Sequence, residues 1–301
     1  MPTHKLKLRN RQILRDAGIK TGILSAWPIW KGPSAIDGKP MIVALSNFTT
    51  ACENGKVSGN EKGQNKAEDV CQVWYFREDI EPHVMYKENV ESACGDCIHM
   101  KKQSCYVIWH RSPLSIWKAV KTKPLLSQDL IEKVTDGLFV RLGAAGDPCS
   151  VPAEVSMALI DKARGWAGYT HQWHKMDNLS PFKHFLMASA DSKYQADLAQ
   201  SWGWRTFRTV EPGQAEPMNS REVLCHAESM GSNCADCGLC GGIGWIKPKT
   251  GRYAFQRYKN IFIPVHGSGA GNYEPNDQMY KKISWNRWAN DWGIGELNDL
   301  D

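Results

Sequence analysis

Between Gly137 and Ala270 the chain alternates short apolar runs with amphipathic stretches, and that alternation sets the expected architecture. GLFVRLG, residues 137 to 143, reads as a buried strand bounded by glycines. VPAEVSMALIDKARG, from Val151, places Val155, Ala158, Leu159 and Ala163 on one face of a helix. WAGYTHQW and FLMASADS read as further strands, KYQADLAQSWG as a helix with a glycine stop, and WRTFRTV and NIFIPVHGSGA as two more strands. Upstream, Met41 to Leu45 and Cys71 to Phe76 are strand candidates.

Strand, helix, strand at this spacing predicts parallel βαβ units, and with the upstream strands an α/β fold organised as a complete or partial (β/α) barrel with Cys-rich metal-binding loops. A doubly wound sheet is the alternative, but the glycine fingerprint GxGxxG that would support it is absent. The expected division is a basic, turn-rich segment over 1–40, a barrel-like catalytic domain over 41–275 with a metal-binding insertion at 225–242, and a Trp-rich tail over 276–301. In that tail Trp285, Trp288 and Trp292 recur at helical spacing, and Asn54 to Lys66 reads as a polar loop. Barrel enzymes carry their chemistry at the C-terminal ends of the strands. That rule selects Asp147, His171 with Gln172, Asp191, Glu211 and His266.

Charge adds a partner class. The chain of 301 residues has a formal net charge of +5 and carries 13 Trp and 9 Tyr. Basic surface tracks a phosphate backbone, and exposed rings stack on unpaired bases at about 1 to 3 kcal/mol each. Most of these rings are expected in the core, and Arg141, Lys175, Arg205 and Arg208 are the basic side chains nearest the expected site. No apolar run approaches the roughly 18 residues of a membrane helix, and MPTHKLKLRNRQ lacks the apolar stretch of a secretion signal. A cytoplasmic protein with no membrane partner is expected. Nothing in the sequence sets an oligomeric state.

In a reducing compartment, closely spaced thiols point to metal or redox chemistry more than to disulfides. CHAESMGSNCADCGLCGG spaces Cys225-x8-Cys234-x2-Cys237-x2-Cys240, giving up to four thiolates in a glycine-rich loop. Such CxxC steps suit zinc, and spacing alone does not separate zinc from an iron–sulfur cluster. A second group, Cys94-x2-Cys97-x7-Cys105, encloses His99, and three thiols there suit a metal site completed by histidine or a cluster with one open iron. Cys52, Cys71 and Cys149 are isolated and expected to be packing residues.

In order, CxxC…CY, SPLSIW, RLGAAGDP, GYTHQW, ASADS, CxxCxxC and FIPVHGSG resemble a family of phage-encoded proteins, over about Cys94 to Gly269. Cys237-x2-Cys240-x25-His266 also resembles the end of the zinc motif CxCx2Cx25H of guanine transglycosylases, barrel enzymes that exchange guanine for a 7-deazaguanine in tRNA or, in phages, in DNA. The chain departs from that motif in its upstream cysteine, at x2 and not x1, and in having no DSGGF-like segment.

The second resemblance implies zinc held by Cys225, Cys234, Cys237, Cys240 and His266, and base exchange on DNA more than on tRNA, in a host cytoplasm if the origin is a phage. Base exchange needs a carboxylate nucleophile and a second acid–base group, and Asp147 and Asp191 are the candidates. Both also suit local structure, Asp147 in a GDP turn and Asp191–Ser192 as a helix cap. His171 and Gln172 suit reading a base edge, Tyr169 stacking on the base, and Arg141 meeting a phosphate. The rival reading is radical chemistry, with a [4Fe–4S] cluster on Cys94, Cys97 and Cys105 and S-adenosylmethionine as cosubstrate, although CxxxCxxC is missing. A non-catalytic zinc-binding nucleic-acid protein is the third.

Overall fold

The computed structural model describes residues 3–20, 26–49, 70–175, 180–214, 216–246, 253–254, 259–275, 277, 279–282 and 284. Cys52, the 54–66 loop and Trp285, Trp288 and Trp292 lie outside them.

The chain opens with helix α1 (Thr3–Asp16) and strands β1 (Ala26–Pro33), β2 (Pro40–Ser46) and β3 (Val70–Arg77). Helices α2 (Pro82–Lys87), α3 (Ile98–Lys101), α4 (Ser112–Lys121) and α5 (Gln128–Thr135) lead to β4 (Phe139–Ala145). The alternation expected from the pattern then follows: α6 (Ala153–Ile160), β5 (Gly165–Thr170), α7 (Phe182–Phe185), β6 (Met187–Ala190), α8 (Lys193–Ser201) and β7 (Thr206–Val210). After β8 (Glu222–Leu224) come α9 (His226–Ser229), α10 (Cys234–Cys237), the small pair β9 (Trp245–Ile246) and β10 (Tyr253–Ala254), and β11 (Asn260–Pro264).

The nine-stranded sheet has the order β1-β2-β3-β4-β5-β6-β7-β11-β8. Pairing is antiparallel among β1, β2 and β3 and parallel from β3 onward. The βαβ units are therefore present. Among the described residues, however, β1 and β8 end the sheet without pairing to each other, so the barrel is not closed. Residues 26–33, part of the basic leading segment in the sequence reading, form the edge strand of this same sheet.

Period-two alternation sorts the parallel strands onto two faces. Val140, Leu142, Trp166 and Ala188 belong to the main core, together with buried residues of α4, α5, α6 and α8. Phe139, Ala167, Met187 and Ile261 face the other way and pack with Leu239 and Cys240, with Tyr169, Phe207, Cys225, Cys234 and Cys237 alongside. The Cys-rich segment thus covers part of the second face. It is tied down there by backbone: Gly168 N–H donates to the Cys240 carbonyl at 3.0 Å, and Arg205 donates to the Leu239 and Gly242 carbonyls.

Local signals explain where α8 sits. The Ser192 hydroxyl accepts from Gln195 N–H as an N-cap, and the chain turns out at Gly203 with φ +81°. Because Ser192 caps the helix, the preceding Asp191 is left for the strand end.

Candidate metal centre

Asp191 is 2% exposed and follows β6 at its C-terminal end. His171 follows β5, and His99 lies in α3 within the first cysteine cluster. Their ligand atoms all lie within 4.8 Å of one another, the one such group of His, Cys, Asp or Glu side chains among the described residues. His99 Nε2 stands 2.9 Å from Asp191 Oδ1, and His171 Nε2 stands 3.4 Å from Asp191 Oδ2. The far nitrogen of each ring is also engaged: His99 Nδ1 with the Ser104 hydroxyl at 2.9 Å, and His171 Nδ1 with the Cys97 sulfur at 3.4 Å.

The surroundings fix this arrangement. The Thr209 hydroxyl, at the end of β7, donates to Asp191 Oδ1 at 2.7 Å. The Tyr273 ring stacks on His99 with centroids 5.7 Å apart, and its hydroxyl donates to the Asp191 carbonyl. His171 Nε2 and Asp191 Oδ2 face each other as a buried ion pair whose geometry falls short of a hydrogen bond.

Burial disfavours a charge on Asp191, yet His99 and His171 beside it hold its carboxyl well below the usual carboxylate range. Burial likewise opposes charge on the imidazoles, but Asp191 raises His99, and Cys97 with Asp191 raises His171 well above its ordinary value. For Cys97 the cost of burial is outweighed by His171, and its thiol is lowered. A cation at this place would take over the stabilising role of those protons.

The other expected site residues are distributed differently. Asp147 is buried with both oxygens committed: Oδ1 accepts from Cys149 N–H at 2.9 Å, and Oδ2 from the Thr170 hydroxyl and His171 N–H at 3.0 and 2.9 Å. It builds the turn that the GDP reading foresaw and positions the backbone under His171. Gln172 donates to the Cys94 carbonyl and to Asp96 Oδ1, both at 3.1 Å, and so braces the CGDC loop. Gly95, at φ +58°, allows that contact, since a Cβ there would come within 2.3 Å of the Gln172 amide.

Tyr169 lies against Phe207, centroids 4.3 Å apart, beside the Cys240 thiol. Arg141 donates to the Tyr106 hydroxyl at 2.6 Å. Arg205 holds the Cys-rich segment, Arg208 pairs with Glu222 at 2.7 Å, and Lys175 with Asp96 at 3.2 Å. These cations are committed within the protein.

The thiols do not converge as the spacing suggests. No three of the sulfurs of Cys225, Cys234, Cys237 and Cys240 form a group within 4.8 Å. Cys240 is drawn onto the sheet beside Tyr169, while Cys237 faces His226 Nδ1 at 3.5 Å. His266 lies apart, bonded to the Pro264 carbonyl and set against the Tyr106 ring. In the first cluster Cys97 turns to His171, the Cys105 sulfur accepts from Val107 N–H, and Cys94 is buried with its thiol raised well above the ordinary value by burial. Cys71 and Cys149 are buried, as expected of packing residues.

Thr209, Ser104 and Tyr273 escape sequence reasoning, and His99 enters it only as a companion of the thiols. Comparison of the chain with family models, with curated proteins and with solved structures gives no match. No helix among the described residues is long and apolar enough to cross a membrane.

Proposed function

We propose that this chain is a metal-dependent enzyme that modifies a base of nucleic acid, with a zinc ion held by His99, His171 and Asp191. One observation carries the reading: both imidazoles turn Nε2 toward one buried carboxylate while their far nitrogens are anchored on Ser104 and Cys97. Metal-binding histidines are oriented in this way by a partner on the second nitrogen. Two imidazoles and a carboxylate form a ligand set that zinc accepts in catalytic sites, where one position stays open. The bound ion would supply a Lewis acid.

The protein's own groups do the rest. Asp191 stays ionised, and Thr209 and His99 fix its orientation. Asp147 holds the peptide of His171, which sets where that ring stands. With both Asp147 oxygens filled, base exchange through paired carboxylates loses one of its partners, and the chemistry moves to the group around Asp191. The nucleic-acid substrate rests on the charge of +5, the aromatic content and the resemblance to phage proteins, with DNA ahead of tRNA and guanine or a 7-deazaguanine as the base.

Metal analysis of the purified protein, with cobalt exchanged for zinc, tests the assignment. A site of nitrogen and oxygen donors gives visible d–d bands that His171→Ala abolishes. Wild-type protein that takes up no ion, or an ion unaffected by His171→Ala and Asp191→Asn, refutes it. Nucleoside analysis of DNA from cells expressing the protein then tests the substrate, because an altered base must appear with wild type and vanish with Asp191→Asn.

A further inference from the structure

The centre on His99, His171 and Asp191 leaves four thiols of the Cys-rich segment unused. Cys225, Cys234, Cys237 and Cys240 come from three separately held pieces of backbone, and all four pack into one cluster on the second face of the sheet, with Ala167, Leu239 and Ile261. Cys225 follows β8, where its N–H donates to the Phe262 carbonyl of β11 at 2.9 Å. Cys234 and Cys237 open and close α10, a single turn capped by the Asn233 side chain and stopped by Gly238 at φ +63°. Cys240 is 8% exposed and pinned to β5 through Gly168. None of the four is in a disulfide.

Their electrostatics show how near they stand. Burial raises the Cys240 thiol, and Cys234, Cys225 and Cys237 each raise it further. Burial also raises Cys225, and Cys234 and Cys237 add to it. Four thiols that oppose one another's ionisation on one patch are a ligand set for a cation.

The separation of the sulfurs bears on which cation. Four thiolates at about 2.3 Å from one zinc ion stand roughly 4 Å apart. No three of these sulfurs lie within 4.8 Å of one another. A cubane of iron and sulfide binds each thiolate on a different iron, and so holds the four farther apart than one ion can. His266 does not complete a single-ion site, since it is bonded to the Pro264 carbonyl and set against the Tyr106 ring. Positive charge lies on the inner side of the patch. Arg205, 6% exposed, reaches the Leu239 and Gly242 carbonyls on either side of Cys240, and the Arg141 guanidinium, beside Tyr106, lies within electrostatic reach of Cys234 and Cys240. A cluster on four thiolates carries net negative charge, which these two cations offset.

We infer that Cys225, Cys234, Cys237 and Cys240 bind a four-iron, four-sulfide cluster, a second metal centre whose ligands are distinct from His99, His171 and Asp191. The inference is independent of the proposed function. It sets an iron–sulfur cluster where the transglycosylase resemblance implies zinc.

Anaerobic purification of the full chain, with reconstitution by ferrous iron and sulfide, tests it. Wild type is expected to hold about four irons and four labile sulfides per chain, with a broad visible absorption that dithionite bleaches. Cys234→Ala and Cys240→Ala are each expected to lower iron content at least fivefold, whereas His266→Ala and Cys105→Ala keep it. If either cysteine variant does not fold, Cys234→Ser and the paramagnetic resonance spectrum of reduced wild type keep the test decisive. Wild type that takes up no iron overturns the inference. So do iron that survives both alanine variants, iron lost to the same extent with Cys105→Ala, and zinc found on these thiols. Zinc is measured in parallel, with His171→Ala expected to leave the iron unchanged. Iron without zinc refutes the proposed function alone, and zinc that depends on His171 without iron refutes the cluster alone.

Discussion

Asp191→Asn is the perturbation that reports most directly on the centre. The substitution keeps the shape of the side chain and removes the charge that faces both His99 and His171. Structural zinc sites with four protein ligands bind with about 10 to 16 kcal/mol in all, so each ligand there accounts for roughly 2.5 to 4 kcal/mol, the scale taken for Asp191 among its three. At about 1.4 kcal/mol per decade this weakens zinc binding by about 100- to 1,000-fold. Ser104→Ala touches no ligand atom and removes only the group that orients His99 from behind, 2.9 Å from Nδ1. Loss of such a partner costs about 10- to 100-fold. Competition against a chromophoric chelator measures both, and a smaller loss for Ser104→Ala than for Asp191→Asn is expected. If both variants hold zinc as tightly as wild type, the His99–His171–Asp191 group is a hydrogen-bonded cluster and not a metal site.

Three further outcomes follow from the packing around the site. Gly95→Ala requires a positive φ for alanine, costing about 1 to 2 kcal/mol, and pushes a Cβ into Gln172; thermal unfolding should show a lower midpoint that Gln172→Ser partly restores. Glu222→Gln leaves Arg208 buried without its bidentate partner, bonded at 2.8 and 2.7 Å, and should cost about 3 to 5 kcal/mol in urea unfolding. For Asp96, burial opposes ionisation, but the His174 hydrogen bond and the Lys175 charge outweigh it and lower the carboxyl. Its folded-state value is depressed, so its stabilisation is present above the unfolded value of about 3.9 and is lost as pH falls through the folded value. In metal-free protein the stability gap between wild type and Asp96→Asn should therefore be constant near neutrality and shrink at strongly acid pH; a gap that persists to the lowest pH refutes the pairing.

The strands from β2 to β7 and β11 are legible because each is a short apolar run next to a helix signal or a glycine. The α6 face is legible in part: Leu159 and Ala163 are buried as the pattern predicts, together with Ala153, Ser156 and Ile160, while Val155 and Ala158 are half-buried. Strand β1 was hidden, since AWPIWKGP has two prolines and alternates poorly; it survives as an edge strand, where missing N–H donors are tolerated. Spacing does not reach the group formed by His99, His171 and Asp191. It sees thiols that are near in sequence, whereas the group that forms joins residues 72 and 20 positions apart, from His99 to His171 and from His171 to Asp191.

Parity along the strands separates the two aspartates that sequence reading treated alike. Ala167 and Tyr169 in β5 face the Cys-rich side, and continuing by twos reaches His171; Met187 in β6 continues to Asp191, and Phe207 in β7 to Thr209. Three strand ends thus deliver an imidazole, a carboxylate and a hydroxyl to one face with no change of backbone regime. Asp147 does not continue its strand in this way. The chain before it passes through Gly143 and Gly146, at φ +77° and +80°, which breaks the alternation and turns the carboxylate onto the Cys149, Thr170 and His171 donors. Strand alternation therefore makes the placement of Asp191 legible in the sequence, whereas His99, brought to it by helix α3 from 92 positions away, is not.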